Sequence, residues 1–268
     1  MNQVRNSYKL NAKQIHLLLL MYKFRFVTSI LLADYRQTSN KSAINKSLRV
    51  LIKKGYIARR YDKSYKLLGK PASYYLAKEG FRYLRSNFNV DKRAIHAMYK
   101  NPSASETFAQ HCLDVFRAYL SLKASYPDTF KNYTRPEVLE YDYMPSPTPD
   151  LYLGRKDIVA GSTNEYLLDI LTDIQFFIIK KRINLYIKHF EEGDWPEQSY
   201  PTVLIVCDDS KIQNKLSRYV QKQLDDNYID EQELIFMTTT KKALFDSNNQ
   251  GGVIWREVFE PNEVVKSL

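Results

Sequence analysis

Basic and acidic residues are segregated along this chain so sharply that they imply two folding units rather than one evenly charged globule. The first hundred residues carry 22 Lys and Arg against 4 Asp and Glu, whereas the remaining 168 carry 18 against 26. A net of +18 in one segment creates a field that attracts polyanions, and the remainder, at −8, must have another task. At 268 residues the chain is long enough for two ordinary domains. The change of charge puts the expected boundary near residue 100, with a basic module over 1–100 that binds nucleic acid and an acidic one over 101–268.

The composition, 44% apolar and 13% aromatic, is that of a globular protein. Cys112 and Cys207 are the only cysteines, and both lie in apolar surroundings, which argues against a disulfide framework or a zinc site. The start, MNQVRNSYKL, has no apolar signal region, and runs such as Ile15 to Met21 fall short of the roughly 18 residues that span a bilayer. The expectation is a cytoplasmic protein with no membrane partner. The 21 tyrosines suit either base stacking or the cover of a half-buried sheet, with ordinary packing the simpler reading.

In the basic module Asn11 is a good N-cap, and Ile15, Leu18, Leu19 and Tyr22 follow at helical spacing up to Lys23. Thr28 caps a short second helix through Leu31, Leu32 and Tyr35, and Ser39 or Asn40 caps a third that runs to Lys54. On this third helix Ile44, Leu48, Leu51 and Ile52 share one face. Lys41, Ser42, Asn45, Lys46, Arg49 and Lys53 take the other, with Gly55 past the end. Such a face fits the major groove, where Arg and Asn pair with guanine and adenine while Lys contacts phosphate. Tyr56 to Tyr61 and Ala72 to Ala77 then read as strands joined by a basic loop, Asp62 to Pro71. Arg59, Arg60, Lys63, Lys66 and Lys70 on this hairpin would extend the third helix into one basic surface for double-stranded DNA, a binding that needs no cofactor. Lys78 to Ser86 is again helical, and Asn87 to Ser105 reads as a polar connector.

Ser103 is the expected cap of a helix reaching Ala124, after which strands are predicted over Val138–Tyr143, Asp150–Leu153 and Glu165–Leu171. A long helix from Asp173 to Glu191 follows, with Thr172 and Gln175 as a capping box and Asp173 complementing the helix dipole. A strand at Thr202–Cys207, a helix at Lys211–Leu224 and strands at Leu234–Thr238 and Val253–Glu257 complete the pattern. Pro149-Asp150 opens one strand, and Asp169 interrupts the apolar run of the next, where a carboxylate must be paired, hydrogen-bonded or metal-bound. Asp150, Asp169 and the Ile170 carbonyl form a candidate ligand set for Mg²⁺ or Mn²⁺, which would activate a water against a phosphate. His111, following Glu106 on the preceding helix, either approaches Asp150 or is an ordinary half-buried residue. No two of His16, His96, His111 and His189 form an HxH pair, and Gly69-Lys70-Pro71 lacks the features of a P-loop.

Three helices, a hairpin and a trailing helix resemble a winged helix-turn-helix domain, and the LIKKGYIARR to SYYLAKEGFRYL pattern is similar to the replication-relaxation family of plasmid and mobile-element proteins. The second module is similar in element order to the PD-(D/E)XK nuclease core. The expected fold class is therefore α+β, a winged helix followed by a PD-(D/E)XK-like α/β domain. The resemblance implies a factor in plasmid replication, its control or mobilisation. It also implies a catalytic lysine where this chain has Leu171, so cleavage would require Lys180 or Lys181 on the following helix to substitute. Three readings stand: a non-catalytic DNA-binding protein with a second copy or a replication or mobilisation protein as partner, a metal-dependent nickase or relaxase-like nuclease, and a transcriptional repressor.

Overall fold

The computed structural model describes residues 9–126, 130–156, 162–193, 195–196, 199–246, 252–259 and 265–268. By its contacts the chain divides into two units, Met1–Phe116 and Arg117–Leu268.

The first unit contains α1 (Ala12–Phe24), β1 (Val27–Thr28), α2 (Ser29–Tyr35), α3 (Lys41–Lys53), β2 (Ile57–Arg60), α4 (Lys63–Leu67), β3 (Ser73–Leu76), α5 (Lys78–Asn87) and α6 (Lys92–Met98). A 3₁₀ turn at Asn101–Ser103 leads into α7 (Glu106–Ser125), within which the division falls. Side-chain caps set the helix starts. Asn11 Oδ1 accepts the Gln14 N–H at 3.0 Å while Gln14 Oε1 accepts that of Asn11 at 3.1 Å. Thr28 Oγ1 caps α2 and Asn40 Oδ1 caps α3. Helix α3 ends at Gly55, whose φ of 73° lets its N–H reach Ile52 O and that of Tyr56 reach Leu51 O, satisfying two otherwise orphaned carbonyls. The three strands form an antiparallel sheet in the order β1-β3-β2.

The loop expected over Asp62–Pro71 contains α4, because Asp62 Oδ1 accepts the N–H groups of Ser64 and Tyr65 and nucleates a turn of helix. The connector expected over Asn87–Ser105 holds α6, capped by Asp91 at the Ala94 N–H, and the cap of α7 is Ser105 rather than Ser103. The boundary expected near residue 100 moves into α7 for the same reason. Arg25 binds Asn101 and the Ala97 carbonyl, and Phe24 stacks on Phe116 at 4.2 Å, tying this stretch to the first unit.

The second unit holds the rest of α7, then β4 (Phe130–Thr134), α8 (Arg135–Val138), β5 (Leu151–Lys156), β6 (Thr163–Leu171), α9 (Phe176–Glu192), β7 (Thr202–Cys207) and α10 (Ser210–Asp226). After these come β8 (Phe236–Thr240), α11 (Lys241–Phe245), β9 (Trp255–Glu257) and β10 (Val265–Lys266). Its seven-stranded sheet runs β10-β9-β8-β7-β6-β5-β4, with β6, β7 and β8 parallel and the flanking ladders antiparallel. Crossovers of one hand between successive neighbours bring α9 and α10 to the same face. There Ile183, Ile187, Leu216 and Val220 pack on Leu167, Val203, Ile205 and Phe236. The sheet is mixed and the chain is α+β.

Two sequence readings need correction in this unit. Val138–Tyr143 is not a strand, because Thr134 and Glu137 form a capping box around Pro136 and start α8; the strand of this region is β4. Thr172 and Gln175 do not box α9, which starts at Phe176 without a side-chain cap. Asp173 instead adopts φ 57° in the turn before the helix, gives its N–H to the Asp208 carboxylate and pairs with Lys241 at 3.3 Å. Both cysteines are buried free thiols, and burial pushes that of Cys207 up to about 12. No helix among the described residues is long and apolar enough to cross a membrane.

Gly80 on α5 is a tight point of the first unit, since a Cβ there would lie 2.2 Å from the Tyr56 carbonyl oxygen, which is itself bonded to the Ala77 N–H. Gly80→Ala must therefore push α5 off β2, and we expect a loss of about 1–3 kcal/mol, read as a lower denaturation midpoint of the N-terminal unit.

Candidate functional site

Helix α3 displays the basic face at its outer side. Ile44, Leu48 and Leu51 are buried, Lys41, Ser42, Lys46, Arg49 and Lys53 are exposed, and Asn45 is half-buried at the border. Strand β2 adds to this face unevenly, because successive side chains of a strand point to opposite sides. Arg59 is exposed, pairs across the ladder with Tyr74 and lies 5.4 Å over the Tyr61 ring. Burial raises the Tyr74 pKa, and Arg59 and Arg49 both oppose that shift, so a side chain from β2 and one from α3 act on the same phenol. Helix α3 packs against β2, and β2 pairs with β3.

Arg60 points the other way, and its expected place on the basic surface is corrected. Its Nη1 donates to the Ala104 carbonyl at 2.5 Å and its Nε lies 3.4 Å from Glu106 Oε2. Glu106 also accepts the Tyr65 hydroxyl at 2.6 Å and pairs with Lys70 at 3.4 Å. Lys63 and Lys66 are exposed; Lys70 is exposed but shares its charge with Glu106. His111 is half-buried on α7 within the first unit, whereas Asp150 belongs to the second.

In the second unit Asp150 and Asp169 do face each other. Leu151 pairs with Leu168 in the β5–β6 ladder, so the next positions outward are these two acids. Each carboxylate holds a backbone N–H of the opposite strand: Asp169 Oδ1 accepts from Asp150 at 3.1 Å and Asp150 Oδ2 from Ile170 at 3.0 Å. Both are buried, at 6% and 2% exposure. Two arginines neutralise them. Arg135, at the start of α8, donates to Asp150 Oδ1 at 3.1 Å, and Arg182 on α9 donates through Nε to Asp169 Oδ2. The Tyr186 hydroxyl, one turn along α9, donates to the same oxygen at 2.8 Å, while Arg182 also reaches the Pro147 carbonyl and Tyr186. Burial works against the Arg182 charge, but Asp169, Tyr186 and Asp150 together outweigh it and raise the pKa. Burial and Asp169 together push Tyr186 well above its ordinary value, so its proton stays on as a donor.

This donor set does not fit Mg²⁺ or Mn²⁺. A hard cation needs several oxygens with lone pairs free to converge on it. Here all four carboxylate oxygens already accept hydrogen bonds, and two guanidinium groups occupy the space beside them. No group of three or more His, Cys, Asp or Glu among the described residues is placed to hold a metal. Leu171 packs in the apolar cluster under α9 and α10. Lys180 extends its ammonium over Tyr219 and Phe176, at 4.8 and 5.8 Å from the ring centroids, and Lys181 is exposed. Arg135, Arg182 and Tyr186 were missed in the sequence; the available signal was Arg182 on the apolar stripe of Ile179, Ile183 and Ile187, the partner that buried Asp169 required.

A cavity of about 1030 Å³ opens in the second unit beside the start of β6, walled by Tyr133, Tyr143, Tyr152, Tyr166 and Tyr200. Its glutamates, Glu165, Glu233 and Glu257, outnumber its lysines, Lys131 and Lys266, which disfavours a phosphate ligand. Much of the tyrosine content therefore lies in the acidic unit.

Removing Arg182 leaves the Asp169 charge buried without its main partner. Arg182→Ala is expected to cost about 3–5 kcal/mol in denaturant unfolding of the second unit, and Asp169→Ala added to it should cost much less than the sum of the two single changes.

No family model and no curated protein matches the chain. Among solved structures it is similar to the restriction endonuclease FokI, with 9% sequence identity and a TM-score of 0.29 over 87% of this chain and 43% of that one. The chain thus spans less than half the length of FokI, and so loose a superposition fixes no correspondence between residues.

Proposed function

We propose that the chain binds duplex DNA, with its N-terminal unit working as a winged helix-turn-helix module that lays α3 in the major groove. The observation that carries this reading is the exposed cationic face of α3 beside the exposed Arg59 of β2, the strand against which α3 packs. Arg49 and Asn45 are the candidates for base edges, and Lys41, Lys46, Lys53, Lys63 and Lys66 for phosphates. A short helix, a turn and a capped basic helix followed by an antiparallel hairpin support it as a local arrangement.

The second unit, in this reading, acts by binding and not by cleavage, since its carboxylates are already committed to Arg135, Arg182, Tyr186 and backbone N–H groups. The accompanying role is that of a cytoplasmic factor of a mobile element, acting in plasmid replication, its control or mobilisation, with a second copy or a replication protein as partner. That setting rests on the resemblance of the LIKKGYIARR to SYYLAKEGFRYL pattern alone.

Affinity for duplex DNA should fall with salt by a slope of about −0.9 per phosphate neutralised. Lys63→Ala and Lys66→Ala are expected to weaken specific and random duplexes alike, each reducing the slope by about one. Arg49→Ala should lose about 1–3 kcal/mol of discrimination between the two. Arg60→Ala should lower the thermal midpoint of the unit more than its DNA affinity; fluorescence anisotropy titrations with parallel melts measure both. Incubated with Mg²⁺ or Mn²⁺ and supercoiled plasmid, the protein is expected to bind without nicking. Metal-dependent nicking lost in folded Asp150→Asn and Asp169→Asn would establish the nickase instead.

A further inference from the structure

Two leucines project from the basic hairpin into solvent: Leu67 is 87% exposed and Leu68 is 66% exposed. They do not sit on a slack loop. Asp62 caps α4 through the N–H groups of Ser64 and Tyr65, at 2.8 and 3.2 Å. Tyr65 is buried, about half a turn around the helix from Leu67, with its hydroxyl on Glu106. The Lys70 N–H returns to the Tyr65 carbonyl at 2.9 Å, and Gly69, at φ 63°, makes the turn that closes α4. Tyr65 is thus an inward anchor and the leucines are held outward on a formed scaffold.

Cations rim them. Lys63 lies one turn from Leu67 on α4, Lys66 precedes it in the chain, and both are exposed. An apolar tip edged by ammonium groups complements a DNA groove, which presents phosphates along its rims and stacked bases at its floor. Two side chains make too small a patch for a stable protein interface, and α4 is too short to lay an amphipathic face in a membrane.

We propose that Leu67 and Leu68 form a wedge that inserts between base pairs from the minor groove, unstacks one step and bends the duplex. This rests on the DNA-binding reading, and adds to it a change in DNA shape that α3 by itself would not produce. A flexible pyrimidine–purine step is the favoured place of entry, because it opens at least cost.

The test uses the full chain and duplexes of about 30 base pairs with a central TA step, one set labelled at both ends for resonance energy transfer and one carrying 2-aminopurine at the step. Binding of the wild type is expected to raise both transfer efficiency and 2-aminopurine fluorescence. The double variant Leu67→Ser, Leu68→Ser, which alters only exposed side chains, should still bind with the same salt slope, about tenfold more weakly, and should give neither signal. Wild-type binding without bending or unstacking overturns the wedge and leaves DNA binding standing, as does a double variant that bends the duplex equally. Absence of any anisotropy change with the wild type overturns both readings together. A lower molar mass of the double variant in sedimentation would reassign the leucines to a contact between copies of the chain.

Discussion

A carboxylate removed from water must be given donors in return, and the second unit of this chain is organised around that requirement. In the second unit it falls on Asp169, set into the middle strands of the sheet with Asp150 opposite it. The penalty of several kcal/mol for burying such a charge is offset by a guanidinium, a phenol and a backbone N–H. That arrangement constrains much else. Arg182 and Tyr186 must stand one turn apart on α9, α9 must cross over the α9–α10 face of the sheet, and the Pro147 carbonyl must come within reach of Arg182. A hydrated cation at the same carboxylates would have to displace Arg135, Arg182 and Tyr186 from them.

In the first unit Glu106 gathers donors while staying partly in water, its side chain 42% exposed. Its carboxylate gathers Tyr65, Arg60 and Lys70, fixing the hairpin to the start of α7 and withdrawing one arginine from the outer surface. Of the cations expected on the basic surface, those of α3, Arg59 and the two lysines of α4 remain outside, and Lys70 is exposed but paired with Glu106. Because Tyr65 is the inward anchor of that short helix, Leu67, about half a turn away, faces solvent, and Leu68 follows it at the helix end. The same contact therefore decides which charges are free for a polyanion and what the tip of the hairpin presents.

Helix starts marked by a single side chain were legible in advance: Asn11, Thr28 and Asn40 cap where a short polar side chain precedes an apolar stripe. The strands β6 and β7 were legible from continuous apolar runs, as expected of strands covered on both faces. Errors arose where one local signal hid another. Thr134 and Glu137 box a helix across a segment whose tyrosines and valine suggest a strand. Asp62 starts a helix within what composition marks as loop. Asp173 looked like a first-turn acid, but its partners, Asp208 and Lys241, come from the ends of other strands.

The sequence by itself determined the charge segregation, most caps, the apolar stripes and the presence of two acids that could not stand alone in apolar strands. These are properties of neighbouring residues, set by backbone hydrogen bonding and by the periods of helix and strand. Only the tertiary structure decided who answers those acids. Whether Asp169 meets a metal or an arginine, and whether Arg60 meets DNA or Glu106, depends on which face of a distant helix comes to lie against the carboxylate. That follows from the packing of whole elements, because desolvation makes a buried charge take whatever donor the fold places beside it.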